Sequence, residues 1–188
     1  MPIDVDEVQR REAIAHATLA VAARDGARAV TIRAVAKELG GSTAMVTNYV
    51  PTRIDLITNA VRAAEARWRG DLEAHLGDLT GKDRLRATVE WHLSTEPDDL
   101  LLRALWVEML SSAHTAPHVI DHQEPRESRQ ELLDAFASAG VPDAGLAADV
   151  LSLLTRGYYV STLEEPSYWT PEKAGRVARA VVDALIDS

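Results

Sequence analysis

The sequence predicts an all-α protein of about nine helices, an N-terminal three-helix module followed by a larger helical body. Three observations lead there. Apolar residues return every three or four positions along nearly the whole chain, as in Ile14, Ala17 and Val21 or Val177, Val181 and Leu185, the spacing that gathers side chains on one face of a helix. Hydroxyl residues stand just before these runs and glycines just after them, where they satisfy orphan N–H groups and supply the left-handed conformation that ends a helix. Period-two alternation is nearly absent: only Arg28 to Ile32 resembles a strand, and a single short strand has nothing to pair with.

Each element follows from this punctuation. The first helix carries Ile14, Ala17 and Val21 and stops at Gly26. Thr31 opens the second, whose stripe is Ile32, Val35, Ala36 and Leu39. Gly40 and Gly41 follow, and Ser42 caps a third helix that ends before Pro51, since proline drives the residue preceding it out of the helical region. The fourth spans roughly Thr52 to Leu76, with Thr52 and Asp55 at capping-box spacing, a stripe of Leu56, Ala60, Ala64 and Trp68, and Gly77 as its stop. Thr80 and Asp83 repeat that spacing ahead of Leu85, Val89 and His92, and Thr95 precedes Leu101, Leu105 and Met109. From His114 to Glu124 the pattern is interrupted by Pro117 and Pro125, so the seventh helix starts at one proline or the other, or bends between them, and Gly140 ends it. The eighth runs from about Asp143 to Leu163 and the ninth from Thr170 to Ile186, with Pro171 at the first helical position, where a missing N–H is no loss.

Composition narrows the function. A chain of 188 residues can bury a sizeable core unaided, and the absence of cysteine rules out a disulfide framework, a thiolate zinc site and a catalytic thiol. The opening residues are acidic (Asp4, Asp6, Glu7) instead of basic then apolar, and no run of about 18 apolar residues exists to span a membrane, so a cytoplasmic location is expected. The net charge is −9, yet its distribution is uneven. Between Val8 and Arg53, Arg10, Arg11, Arg24, Arg28, Arg33, Lys37 and Arg53 face only Glu12, Asp25 and Glu38, whereas from Ile54 onward 13 basic residues face 23 acidic ones. A positive module on an acidic body suits a protein that meets phosphate with one end only.

The tight succession "TIRAVAKELGGSTAMVTNYVPTRIDLI", Thr31 to Ile57, reads as a helix-turn-helix. Gly40 allows the chain to reverse in left-handed conformation, Val35, Ala36, Leu39 and Val46 pack the two helices, and the second helix presents small or polar side chains of the kind that enter a major groove. At these residues the chain resembles the TetR family of transcription regulators, and "REAIAHATLAVAARDGARAVT" extends the resemblance through the first helix. The C-terminal "RGYYVSTLEEPSYWTPEKAGRVARAVVDALI" is similar to the last two helices of such regulators. The resemblance implies a DNA-binding domain over residues 1–51, a ligand-binding and dimerisation domain over residues 52–188, and a repressor that binds a palindromic double-stranded operator as a homodimer until a small-molecule effector releases it.

It also implies roles by position. Thr31 and Arg33 stand where these proteins meet DNA from the start of the second helix; Ser42 and Thr43 begin the recognition helix, where hydroxyls and N–H groups meet phosphate. Ala44 and Met45 fall at base-reading positions and suit a thymine methyl, and Asn48 matches adenine. Tyr49 and Arg53 occupy the aromatic and lysine positions that clamp the DNA backbone. Three residues depart from the family pattern: Thr47 replaces an aromatic residue and weakens one phosphate contact, Gly41 replaces a valine, and Val50 replaces a phenylalanine.

In the body, all four tryptophans and several polar aromatics suggest an apolar cavity with a few polar handles: Trp68, Trp91, His92, Trp106, Met109, Tyr158, Tyr159 and Trp169. The last two helices are small or apolar on more than one face, and the resemblance implies a four-helix dimer interface there, with Val150, Leu154, Val177, Val181 and Leu185 as candidates. Two other readings compete. A helical interaction protein that has lost DNA binding fits Thr47 and the net negative charge. A metal-dependent enzyme would use His114, His118 and His122, at four-residue spacing beside Asp121 and Glu124, but Pro117 breaks the helix they need. HExxH, P-loop, GxGxxG and GxSxG patterns are all missing, so no catalytic residue, metal or cofactor is expected.

Overall fold

The computed structural model describes residues 5–93, 97–112 and 124–186. Among the described residues there are nine α-helices, one 3₁₀ turn and no strand, so the expected all-α class is what is found. In chain order the helices are α1 (Val5–Asp25), α2 (Ile32–Glu38), α3 (Thr43–Thr47), α4 (Arg53–Leu76), α5 (Gly81–His92), α6 (Pro97–Ser111), α7 (Glu124–Ser138), α8 (Ala144–Glu164) and α9 (Pro171–Ile186), and the 3₁₀ turn is Ala27–Ala29. The strand-like stretch after Arg28 is this turn followed by extended residues at Val30 and Thr31. Its β-branched residues serve as a buried plug and a helix cap.

Most helix ends form as the local chemistry dictates. Thr31 Oγ1 accepts from Ala34 N at 3.1 Å, Ser42 Oγ from Met45 N at 3.3 Å and the Asp143 carboxylate from Leu146 N at 3.0 Å. The capping box at the start of α4 closes reciprocally: Asp55 N donates to Thr52 Oγ1 and Thr52 N to Asp55 Oδ2, both at 3.2 Å. Thr80 lies in extended conformation before α5 and makes no side-chain cap bond, because Gly81 follows with φ of 54° and the chain turns there instead. Pro125 lies in the first turn of α7 as described, where a missing N–H is no loss. Thr95, Pro117, His114, His118, His122 and Asp121 lie outside the described residues.

The chain forms two compact units: Met1–Trp68 with Leu101–Ile120, and Arg69–Leu100 with Asp121–Ser188. The first is built on Ile14, Val21, Val30, Val35, Val46, Leu56 and Ile57, all fully buried, joined by Leu105 and Met109 from α6. Each such aliphatic side chain contributes about 1.5–3 kcal/mol by leaving water. The second is built on Phe136, the chain's one phenylalanine, with Leu85, Val89, Leu151, Ala178 and Val182 around it, again fully buried or nearly so. Ion pairs ring the second unit, among them Arg84 with Glu73 at 2.8 Å, Arg86 with Asp183 at 3.0 Å and Arg179 with Glu90 at 3.0 Å. They are solvent-exposed, so each adds little to stability.

Candidate nucleic-acid interface

One turn joins α2 to α3. Gly40 takes φ of 66°, which lets Gly41 N donate to Ala36 O at 2.9 Å and Gly40 N donate to Lys37 O at 3.0 Å. This paired bonding satisfies the last carbonyls of α2 and reverses the chain into Ser42. Val35, Ala36 and Val46 are buried on the inner side of the turn, and Val50 continues the core beyond it. With its inner side fixed this way, α3 leaves Ser42, Thr43, Ala44, Thr47 and Asn48 exposed. Thr31 and Arg33 are exposed at the start of α2, and among the described residues Arg33 makes no ion pair.

Three of the expected contact residues sit differently from the rest. Tyr49 is half-buried and packs on the first core, leaving part of its side chain outward. Met45 is also half-buried and folds back over Gly41: a Cβ at that glycine would collide with the methionine's terminal methyl and lie 2.8 Å from its sulfur. The glycine that replaces the family's valine is thus matched to the methionine four residues later. Arg10 of α1 reaches the same sulfur, with Nη1 at 4.0 Å. Arg53 is turned inward. Its Nε donates to Val30 O at 2.9 Å, Nη2 to Ala27 O at 3.1 Å and Nη1 to Glu108 Oε1 at 2.7 Å. Sequence reasoning had no signal for this, because the two carbonyls carry no residue identity and Glu108 is 55 residues away.

The surface charge is tuned by internal pairing. Arg24 donates to Glu38 at 2.8 Å and to Asp25 at 3.1 Å, and these bonds raise its already high pKa. Its charge is thereby neutralised at the edge of the module, while Arg28, Arg33 and Lys37 remain exposed.

The aromatic residues expected to line a pocket are distributed over both units. Trp68, Trp106 and Met109 belong to the first, where Met109 is buried in the core and Trp106 packs against it. Trp91 and His92 close α5 in the second, the Trp91 ring lying 4.8 Å from that of His75. His92 Nδ1 is 2.8 Å from Thr88 O, so the neutral ring carries its proton there, and burial pushes its pKa below the ordinary value despite that bond. Tyr158 and Trp169 alone of the eight line an apolar cavity of about 500 Å³, with Leu93, Leu153, Leu154, Gly157, Ser161 and Ala174 among its other walls. Tyr159 packs on the second core beside Tyr158.

Of the expected interface residues, Val150, Leu154 and Val177 line this same cavity, while Val181 and Leu185 are half-buried on α9. Three further large apolar residues of α8, not anticipated, are exposed: Leu146, Leu153 and Val160, at 58%, 73% and 41%. With Val150 and Gly157 they step along α8 by four, three, four and three residues, the seam pattern of paired helices. That spacing was readable in the sequence, but the buried face of α8 is as apolar and masked it. Among the described residues no helix is long and apolar enough to cross a membrane, and no three His, Asp or Glu side chains gather as a metal would need.

Comparisons with known proteins bear on the family and the fold. The profile described as BetI-type transcriptional repressor, C-terminal, matches residues 81–187. A transcriptional regulator from Rhodococcus sp. Rha1 is similar in fold, with a TM-score of 0.81 and 20% identity over 94% of this chain and 96% of that one. A putative transcriptional regulator from Pseudomonas aeruginosa PAO1 gives 0.74 and 25% identity, over 100% and 94%. One from Saccharomonospora viridis, solved in complex with choline, gives 0.78 and 21%, over 94% and 96%. A comparison with curated protein sequences returned no significant match.

Proposed function

The chain belongs to the TetR family of transcriptional regulators, its C-terminal part being of the BetI-type repressors, and from that premise we propose that it represses transcription as a homodimer on a palindromic operator and is released by a small-molecule effector. The observation that supports DNA reading most directly is the row of exposed hydroxyl and amide side chains on α3, Thr43, Thr47 and Asn48, set outward by a buried Val46 beside the exposed Arg33. Such a row can bond base edges and phosphates alike, and the positive N-terminal stretch draws it to the duplex. Residues 1–51 supply DNA binding in this reading, and residues 52–188 supply dimerisation and effector binding.

The partner is assigned to the stripe on α8 from Leu146 to Val160 together with Val177 of α9. A seam of exposed leucines and valines is otherwise an aggregation hazard, and a second copy with the same seam buries it symmetrically. Such a copy would roof the cavity whose floor is Leu93, Tyr158, Ala174 and Ala178. The enclosed space would be apolar, with the Tyr158 hydroxyl, the Trp169 indole and Ser161 as handles, and suits a mostly apolar effector, aromatic or cationic. A structural neighbour in complex with choline supports a cationic effector. Effector binding in the body would act through α4, a single helix that contributes Arg53–Trp68 to one unit and the rest to the other. A shift of the two recognition helices away from the 34–36 Å spacing of successive grooves loses both half-sites together.

The test is selection of bound fragments from random and genomic duplexes, followed by affinity at several salt concentrations. We expect retention of a palindromic sequence whose affinity falls steeply as salt rises, because several phosphate contacts release counterions. No retention at low salt would sink the reading.

A further inference from the structure

We propose that Arg53 is a positioning residue of the DNA-reading module, held in place by Glu108, and not a clamp on the phosphate chain. Its guanidinium already serves three acceptors: Val30 O at 2.9 Å, Ala27 O at 3.1 Å and Glu108 Oε1 at 2.7 Å. The two carbonyls lie on either side of the 3₁₀ turn, and Val30 immediately precedes Thr31, the cap of α2. One planar fork therefore joins the entry to α2, the first residue of α4 and a carboxylate on α6.

The carboxylate is not loosely offered. Glu108 lies between Leu105 and Met109, both buried in the core that also holds Val30, Val35 and Val46, so the register of α6 fixes where the charge stands. The Arg53 and Glu108 side chains are 35% and 30% exposed, enough shielding for the pair to be more than a surface contact. Three of the five N–H donors of Arg53 are committed to these acceptors, and turning the whole fork onto a phosphate would leave two carbonyls beneath it without this donor. What the pair controls instead is the angle at which Thr31 and Arg33 meet DNA. Lysine cannot replace it: an ammonium has no fixed fork to span two carbonyls and a carboxylate at once.

The inference rests on the DNA-binding reading, and the experiment separates the two. Wild type, R53K, R53A, E108A and R53A/E108A are compared on the duplex that the wild type selects, across a salt series, with thermal unfolding of each variant confirming that it is folded at the assay temperature. R53K retains the charge and is the variant least exposed to folding failure. A positioning role predicts that R53K and R53A each weaken binding about tenfold with the slope of affinity against salt unchanged. E108A would lose a similar factor, and the double variant would bind no worse than R53A. R53K binding as tightly as wild type, a slope reduced by about one in R53A, or E108A binding at least as tightly as wild type would each overturn it in favour of a phosphate clamp. Failure of the wild type itself to retain any duplex would instead sink the DNA-binding reading and this one with it.

Discussion

At His92, burial and hydrogen bonding pull in opposite directions, and burial wins. The ring is kept neutral against Thr88 O, with its pKa below the ordinary histidine value. The sign of the consequence follows. An unfolded chain takes up a proton at this residue as pH falls through about 6.5, while the folded chain resists it, so the stabilising contribution is complete above that pH and drains away below it. The midpoint of thermal unfolding should therefore fall between pH 7.5 and pH 5 by more in the wild type than in a His92→Gln variant, whose amide can still donate to Thr88 O. Parallel curves would show that His92 is not responsible. Gly41 makes a second point at this scale: the space its missing Cβ leaves is where the end of the Met45 side chain lies.

At the scale of the element, what was legible in the sequence was the existence of each helix and much of its punctuation. Thr31, Ser42, Thr52 and Asp143 cap as hydroxyl and carboxylate residues should, and Gly26, Gly40, Gly77 and Gly140 all take positive φ at or near helix ends. Gly40 matters most of these for the helix-turn-helix, because it holds the left-handed turn between α2 and α3. At φ of 66° with open space around the Cβ position, a Gly40→Ala variant meets backbone strain and nothing else. The strain is about 1–2 kcal/mol, partly offset by a stiffer unfolded chain. We expect a net loss near 1 kcal/mol, seen as a fall of about 2–4 °C in the unfolding midpoint. No fall would mean that the turn relaxes at no cost. What the sequence could not show was which partners long side chains choose. Arg53 had every attribute of a phosphate ligand, and its acceptors are two carbonyls and a distant carboxylate brought in by tertiary packing. Helical spacing likewise reports that Trp106 and Met109 are apolar-facing, but not that the core they join is that of the first unit.

At the scale of the whole molecule, the proposed homodimer is tested on the exposed face of α8. Leu153, 73% exposed in the middle of the α8 stripe, contributes little to the fold of its own chain and would be central to a symmetric seam. A Leu153→Glu substitution would place two like charges against each other across the two-fold axis. Sedimentation should show a monomer with a nearly unchanged unfolding midpoint at high dilution, and full-operator affinity should drop to that of a half-site. A dimer that persists would move the interface elsewhere. The reading end of the molecule has a different economy. An unbranched thioether fills the notch left at Gly41 while Val46 and Val50 anchor the helix from beneath, so the packed residues here are a different set from the exposed Thr43, Thr47 and Asn48. On the proposed function, exchanges at positions 43, 47 and 48 would change which duplex is retained and leave that packing in place.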